Sequence, residues 1–445
     1  MYTEWSQRAE IRWQGPDFLD KVELESELRD TFDICSTCRR CVSLCESFPR
    51  LFDLIDNTSA KDIRSVDSVR FSEVVDACTL CDMCYPICPY ILPHKYEIDF
   101  PNMVIRYRAL QRNMGNRNYQ QEQLAKIDRN GRIFCYWSRI INWITSKENL
   151  VARLVLQWIA GIDRRAVLPK FQPQRFSRQS SVREVRINRE APGFGRKVVI
   201  YATCFVEYNK SGIGIAASTV LEKNGVEVEI VYSECCGMPQ LEGGSLEEVS
   251  RKAISISSEL VRWIDRGYDI VTLIPSCSLM MKSTWSLYLP DDQDVKKVAL
   301  NTYDISEYLV ELFGQDGIAE GLRPIGGDIT LHYACHAQAQ NMGPKSAIIL
   351  RLIPECNVTV TQRCSGHGGT WGVLKKNHQV AVEFGAPLVN RIVSDQRKYF
   401  ASECPLAGEH LLDGVATCGK QLRSKVDRSF HPIELLAKSY GVDIV

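Results

Sequence analysis

Eight cysteines between residues 35 and 88 carry the clearest chemistry in the chain. Cys35, Cys38, Cys41 and Cys45 follow C-x2-C-x2-C-x3-C, and Cys78, Cys81, Cys84 and Cys88 repeat it, closed by Pro89. Three thiolates at i, i+3 and i+6 wrap one face of an iron–sulfur cubane, each meeting its own iron; the fourth iron takes a thiolate from elsewhere. In chains with two such runs, the last Cys of each crosses to the other cluster. The spacing therefore predicts two [4Fe-4S] clusters: one on Cys35, Cys38, Cys41 and Cys88, the other on Cys78, Cys81, Cys84 and Cys45. A structural zinc ion takes four ligands, usually as paired C-x2-C units, and two triple repeats fit that poorly. Glu46 stands where the second run has Pro89, with Pro49 close by.

The totals bound what such a site belongs to. A chain of 445 residues is long enough for about two to four domains. Its hydrophobic content of 45% and charged content of 24% are those of a globular protein. A formal net charge of zero argues against nucleic acid as the main partner. Met1 to Gly15 lacks the apolar core of a secretory signal, so the 18 cysteines read as metal ligands in a reducing compartment rather than as disulfides. No run of 18 apolar residues appears, so no transmembrane segment is expected. The expectation is a cytoplasmic chain, with peripheral contact at the inner face of the membrane left open.

The elements that would position the two runs are helical. Val69, Phe71, Val74 and Val75, within the 32 residues between the runs, have helical apolar spacing. This predicts a helical two-cluster domain over residues 1–110, on which Trp5, Ile11, Trp13 and Phe18 would pack. Residues 111–196 follow as helices and linker. Within them, 133–162 reads as two amphipathic helices joined at Ser146 to Asn149, with Trp137, Ile140, Ile144, Leu154, Val155 and Trp158 on the apolar face. Packing on a neighbouring domain is the first expectation for that face; a docking surface for a partner and shallow membrane contact are the alternatives. Residues 163–197, with Pro169, Pro173 and Pro192 and many basic residues, read as a solvated extended linker.

From Lys197 the texture becomes α/β. Strands are expected at Val198–Thr203, Val226–Tyr232 and Ile270–Ile274, running into Cys204, into Cys235 and Cys236, and into Cys277. The pattern recurs at an offset of about 130 residues, with strands ending at Cys335, Cys364 and Cys404. Ligands gather at the carboxyl ends of parallel strands. The fold class expected is therefore multidomain α+β: the helical two-cluster domain, then a duplicated α/β module over 197–325 and 326–445. Each module is a candidate metal or redox site.

These residues carry a family resemblance. Behind a two-cluster ferredoxin-type domain, Cys204, Cys235-Cys236-Gly237, Cys277, Cys335, Cys364-Ser365-Gly366 and Cys404 resemble the CCG-domain family. In that family the chain looks most like the C subunit of anaerobic glycerol-3-phosphate dehydrogenase, and is similar to heterodisulfide reductase subunits and to the iron–sulfur subunits of glycolate and lactate oxidases. The resemblance implies an iron–sulfur electron-transfer subunit working between a flavoprotein dehydrogenase and quinone or another acceptor, without substrate turnover of its own. The alternative it implies is a reductase of a thiol, disulfide or other small substrate. It also implies further clusters, a third on Cys204, Cys235, Cys236 and Cys277 and a fourth on Cys335, Cys364 and Cys404. Gly237, Gly366, His336 and His367 would surround them, either His completing the three-thiol set.

The family pattern places a further Cys after the last of each module; here those positions are Met280 and Ala407, and Ser365 replaces the second Cys of the pair. Zinc, or thiols kept only for packing, are the other readings of these sets. Cys418 is a distant substitute for the ligand missing at Ala407, while Cys135 and Cys356 read as structural and His94 as a neighbour that tunes the second run. Gly212-Ile213-Gly214-Ile215-Ala216-Ala217 imitates a dinucleotide fingerprint but starts eight residues after Cys204, too late for the strand-to-helix turn.

Overall fold

A computed structural model describes residues 8–181, 186–422 and 426–442, side chains 418–422 excepted. Trp5 and the Cys418 thiol lie outside the described residues.

In the N-terminal part, α1 (Lys21–Cys38), α2 (Ser47–Asp56), α3 (Phe71–Ala77), α4 (Cys84–Ile87) and α5 (Phe100–Asn113) frame the two cysteine runs. The Asp20 carboxylate caps α1 by accepting from Glu23 N at 2.9 Å. Leu24, Leu28 and Phe32 recur every four residues, so one stripe of α1 is fully buried. It meets α3 and α5 through Phe71 and Phe100, with the Phe32 and Phe71 rings edge to face at 5.1 Å. The helix then stops at Arg39, held left-handed (φ 50°), and the chain turns into the first run. In the second run Leu80 and Asp82 are both left-handed (φ 51° and 58°), which curls the loop between Cys78 and Cys84. Arg8 pins Asp82 at 2.9 Å. The N-terminal strap does not stay on this domain: Ile11 N donates to Leu287 O at 2.8 Å, and Trp13 Nε1 to Tyr288 O at 3.1 Å.

Two four-stranded parallel sheets make up the C-terminal half. The first contains β1 (Lys197–Tyr201), β2 (Glu227–Val231), β3 (Asp269–Thr272) and β4 (Thr302–Asp304), ordered β2-β1-β3-β4. The second contains β5 (Ile329–His332), β6 (Val358–Thr361), β7 (Tyr399–Ser402) and β8 (Ser429–Phe430), ordered β6-β5-β7-β8. The central strands β1 and β5 are buried almost throughout, as expected where helices cover both faces of a parallel sheet. In each sheet the connections leave the central strand in opposite directions, which opens a crevice at its carboxyl end.

Between the halves lie α6 (Tyr119–Ala125), α7 (Ile127–Tyr136), α8 (Ser138–Thr145), α9 (Leu150–Ala160) and α10 (Phe176–Ser180). Two expectations fail here. Residues 163–181 and 186–197 are not a solvated linker but a strap. Asp163 N donates to Val373 O at 2.8 Å, Gln172 N to Tyr208 O at 2.9 Å and Asn188 N to Glu222 O at 2.9 Å. Phe176 is buried against Gly214. Prolines suppress regular structure, but these apolar anchors and backbone bonds still fix the path. The apolar face of α8 and α9 is not packed on a neighbouring domain either: Trp143, Val151 and Trp158 are exposed.

Candidate metal centres

The two N-terminal runs fold so that their cysteines cross. Cys35 faces Cys41, Cys88 and Cys38. Cys84 faces Cys81, Cys78 and Cys45. Burial pushes the Cys41 thiol up to about 11 and Cys45 to about 12, and their thiol neighbours push in the same direction. Backbone N–H groups oppose this by donating to sulfur: those of Ser47 and Phe48 to Cys45, Tyr90 to Cys88, Leu80 to Cys78 and Met83 to Cys81. Several thiolates in one buried spot repel one another unless a cation lies between them, and an iron–sulfur cluster supplies that cation with N–H···S bonds tuning it. The donor set fits two such groups. Among the described residues no three His, Cys, Asp or Glu converge as a single-ion site; the ligands of a cubane stand farther apart, because each binds a different iron.

At the first sheet, Cys204 follows β1, Cys235 and Cys236 follow β2, and Cys277 follows β3. Their thiols form a chain within hydrogen-bonding reach, Cys204 to Cys235 to Cys236 to Cys277. Gly237, left-handed at φ 93°, turns the chain from this pair into the next helix. Tyr201 and Tyr232 close over the set, facing Cys236 and Cys204 respectively. Asp128 of α7 supports it from below, accepting from Cys235 N at 2.9 Å and from Tyr232 Oη at 2.5 Å, with Lys252 at 3.2 Å. Nothing in the sequence marks Asp128, because it acts across 107 residues. Four soft donors drawn together in one buried spot fit an iron–sulfur group.

The second sheet presents Cys335 after β5, Cys364 after β6 and Cys404 after β7. Cys335 faces Cys364 and Cys404. Gly366 N donates to Cys364 Sγ at 3.3 Å. Ser365, in the place of a second Cys, is buried. Glu403 lies behind Cys404; burial raises its carboxyl to about 8, and it accepts from Ala334 N at 2.9 Å and from Ser346 Oγ.

His336 does not fit as an iron ligand in this arrangement, because both ring nitrogens are engaged. Nε2 donates to Leu80 O at 3.0 Å and Nδ1 accepts from Ser276 Oγ at 2.7 Å. Burial lowers its basicity and keeps it neutral. It ties the second cysteine run and both modules together. His367 is buried beside His410, its ring held near 3 by burial. Gly212 to Ala217 lie inside the helix Ser211–Lys223, and a Cβ on Gly214 would meet Phe176 at 2.4 Å, so no phosphate approaches there. Cys135 and Cys356 stand apart, donating to Tyr208 O at 3.5 Å and to Gly327 O at 3.4 Å. His94 meets the Tyr90 ring edge to face and the Tyr96 ring at a tilt, and accepts from Tyr96 N at 3.2 Å.

The four sets form one row. Cys81 of the second run faces Cys335 and Cys364, and Cys45 faces Cys364. Cys404 in turn faces Cys277. The loop carrying Gly368 meets the first junction, packing so closely on Thr79 that a Cβ would lie 2.7 Å from its methyl group. At the same junction Arg108 donates to Cys78 O at 2.6 Å and to Glu242 O at 2.9 Å.

Residues 198–282 match the family model of the cysteine-rich CCG domain. The chain carries a CCG domain. It is similar to lactate utilization protein A of Macrococcus caseolyticus, 27% identical over 255 residues, which are 54% of this chain and 96% of that protein. Lactate utilization protein A of Bacillus cytotoxicus is 28% identical over 186 residues, 40% of this chain and 74% of that protein. A subunit of the fumarate reductase (CoM/CoB) of Methanothermobacter marburgensis is 27% identical over 229 residues, 50% of this chain and 42% of that protein. With its CCG domain and these relatives, the chain is an iron–sulfur, oxidoreductase-associated protein. Among the described residues no helix is long and apolar enough to cross a membrane.

Proposed function

We propose that the chain is the iron–sulfur electron-transfer subunit of an oxidoreductase complex, working between a flavoprotein dehydrogenase and quinone or another acceptor. The observation that supports this most is the row of facing thiol sets, from Cys35 through Cys81 and Cys335 to Cys277. Clusters bound there would supply one-electron carriers. The residues of the chain provide the remainder. Thiols at strand and helix ends hold the sites, backbone N–H groups aimed at sulfur tune them, and Tyr201 and Tyr232 shield the first module's set. His336 fixes the spacing between three elements. Hydride chemistry would belong to a flavin on the partner. The partner's substrate is a small hydroxy compound: glycerol 3-phosphate by the sequence resemblance, or lactate by the name of the relatives.

A second reading, two-electron reduction of a disulfide to two thiols at the second module, is favoured by the open count of three cysteines there. The two separate on the isolated subunit. With a reduced viologen as donor, the electron-transfer reading expects no disulfide turnover but reoxidation by a quinone analogue. Disulfide turnover by this chain alone would overturn it.

A further inference from the structure

Helices α8 and α9 are built inside out. In α9 the one buried side chain is Arg153, at 0% exposure, while Val151 and Trp158 stand out at 74% and 85%. In α8 the one buried residue is Ser138, and Trp143 is 65% exposed. Tyr136 ends α7 at 80%. Arg153 shows why the arrangement holds. Its guanidinium donates to Asp163 O at 2.8 Å and to Ala166 O at 2.6 Å, so the polar group clamps the hairpin from within. An apolar face this wide, on a ridge of two short helices, is too costly to leave in water without a function.

Charge identifies the occupant. Between Lys126 and Arg178 the chain has eleven Lys or Arg against three acids, although its overall net charge is zero. Three of the basic residues are engaged, Arg153 inside the hairpin, Lys147 with Asp413 and Arg165 with Asp163, while Asp128 is held by Lys252; eight Lys or Arg still stand against Glu148. Helices α8 and α9 have 8 and 11 residues, far short of a bilayer span. Short helices with Trp and aliphatic residues on one face and basic residues around it lie in the plane of a lipid interface, where the negative surface of anionic headgroups attracts Lys and Arg.

We propose that the α7–α9 ridge docks this chain on an anionic lipid surface, its Trp and aliphatic side chains entering to headgroup depth. The ridge is anchored to both modules. Asp128 and Cys135 of α7 reach the first, and Ile162 pairs with Leu374 and Lys147 with Asp413 in the second. Docking would therefore bring the Cys204–Cys277 centre towards the bilayer, where an apolar acceptor dissolves; that consequence, unlike the docking, rests on the electron-transfer reading.

The test is flotation of the full-length, cluster-loaded protein with phosphatidylcholine vesicles, with and without a quarter of phosphatidylglycerol. The wild type floats with the anionic vesicles, about tenfold less with the neutral ones, and is released by high salt. Its tryptophan emission shifts to the blue on binding. The double variant Trp143→Glu/Trp158→Glu falls to background with its visible absorption unchanged, whereas Val22→Glu, exposed on α1, behaves as wild type. Wild-type protein that ignores both vesicles overturns the proposal, and so does a double variant that floats normally. A homodimer in light scattering that the double variant abolishes, without vesicle binding, would assign the ridge to a second copy and also overturn it.

Discussion

The two α/β modules share a strand order and carry their cysteines at the same three strand ends, yet their centres differ in donors and in surroundings. The first holds four thiols in a continuous chain, closed by Tyr201, Tyr232 and Asp128. The second holds three, with Ser365 in the fourth place, and faces the second cysteine run rather than α7. The residue after the leading Cys differs too: Phe205 in the first module, His336 in the second. A shared scaffold has thus been filled as one enclosed centre and one junction. The difference teaches that ligand count and position in the row vary independently of the sheet.

The largest effect that would break this comparison is loss of the first centre. Cys236→Ser should remove about four irons per chain, the content of one cubane, and leave the signals of the N-terminal sets in place; iron and sulfide assays with EPR check it. His336→Phe gives the second module the residue of the first. It leaves Leu80 O and the Ser276 hydroxyl without their partner, and should cost about 3 kcal/mol on the usual penalty for buried unpaired polar groups. The thermal midpoint measures that cost.

Glu242 probes the contact between the first module and the Gly368 loop of the second. Burial raises its carboxyl to about 7, against a partial opposing pull from Arg108. A carboxyl raised in the folded state is protonated there while the unfolded chain ionises. Stability linked to it is therefore full below about 4.5, the value in an unfolded chain, and is lost as pH rises towards 7. Glu242→Gln should remove that dependence and leave the protein about 2 kcal/mol more stable at pH 8, allowing for solvent at the partly open site; melts across the pH range test it. The smallest change is Ser365→Cys, which copies the pair of the first module. It should alter stability by less than about 1 kcal/mol but change the EPR signal and iron retention of the second centre. An unchanged signal would mean that position 365 does not face a ligand site.

Much of this was legible in the sequence for a local reason. The strand expected at Val198–Thr203 is β1 at Lys197–Tyr201, and that expected at Val226–Tyr232 is β2 at Glu227–Val231, because apolar runs between a helix stop and a Cys have few other conformations. The edge strands β4 and β8, with three and two residues, were not visible: each is formed by register against a buried neighbour rather than by its own pattern. The joint at Ser146 to Asn149 falls between α8 and α9 as the periodicity has it, but periodicity shows only that one face is apolar, not what covers it. That limit is why the α8–α9 face was expected to be packed. The same limit hides Asp128, and hides that His336, a candidate ligand in the sequence, instead ties three elements together: a hydrogen bond spanning 107 or 256 residues leaves no spacing to read.

The central claim is that the first CCG module holds iron through Cys204, Cys235, Cys236 and Cys277. Iron and acid-labile sulfide per chain, measured on anaerobically purified wild type and Cys236→Ser alongside EPR during reductive titration, test it most directly. The account predicts at least about 12 irons in the wild type and about four fewer in the variant, with one EPR signal gone. About eight irons in both proteins, with identical signals, would contradict it and confine the redox chemistry to Cys35 through Cys88.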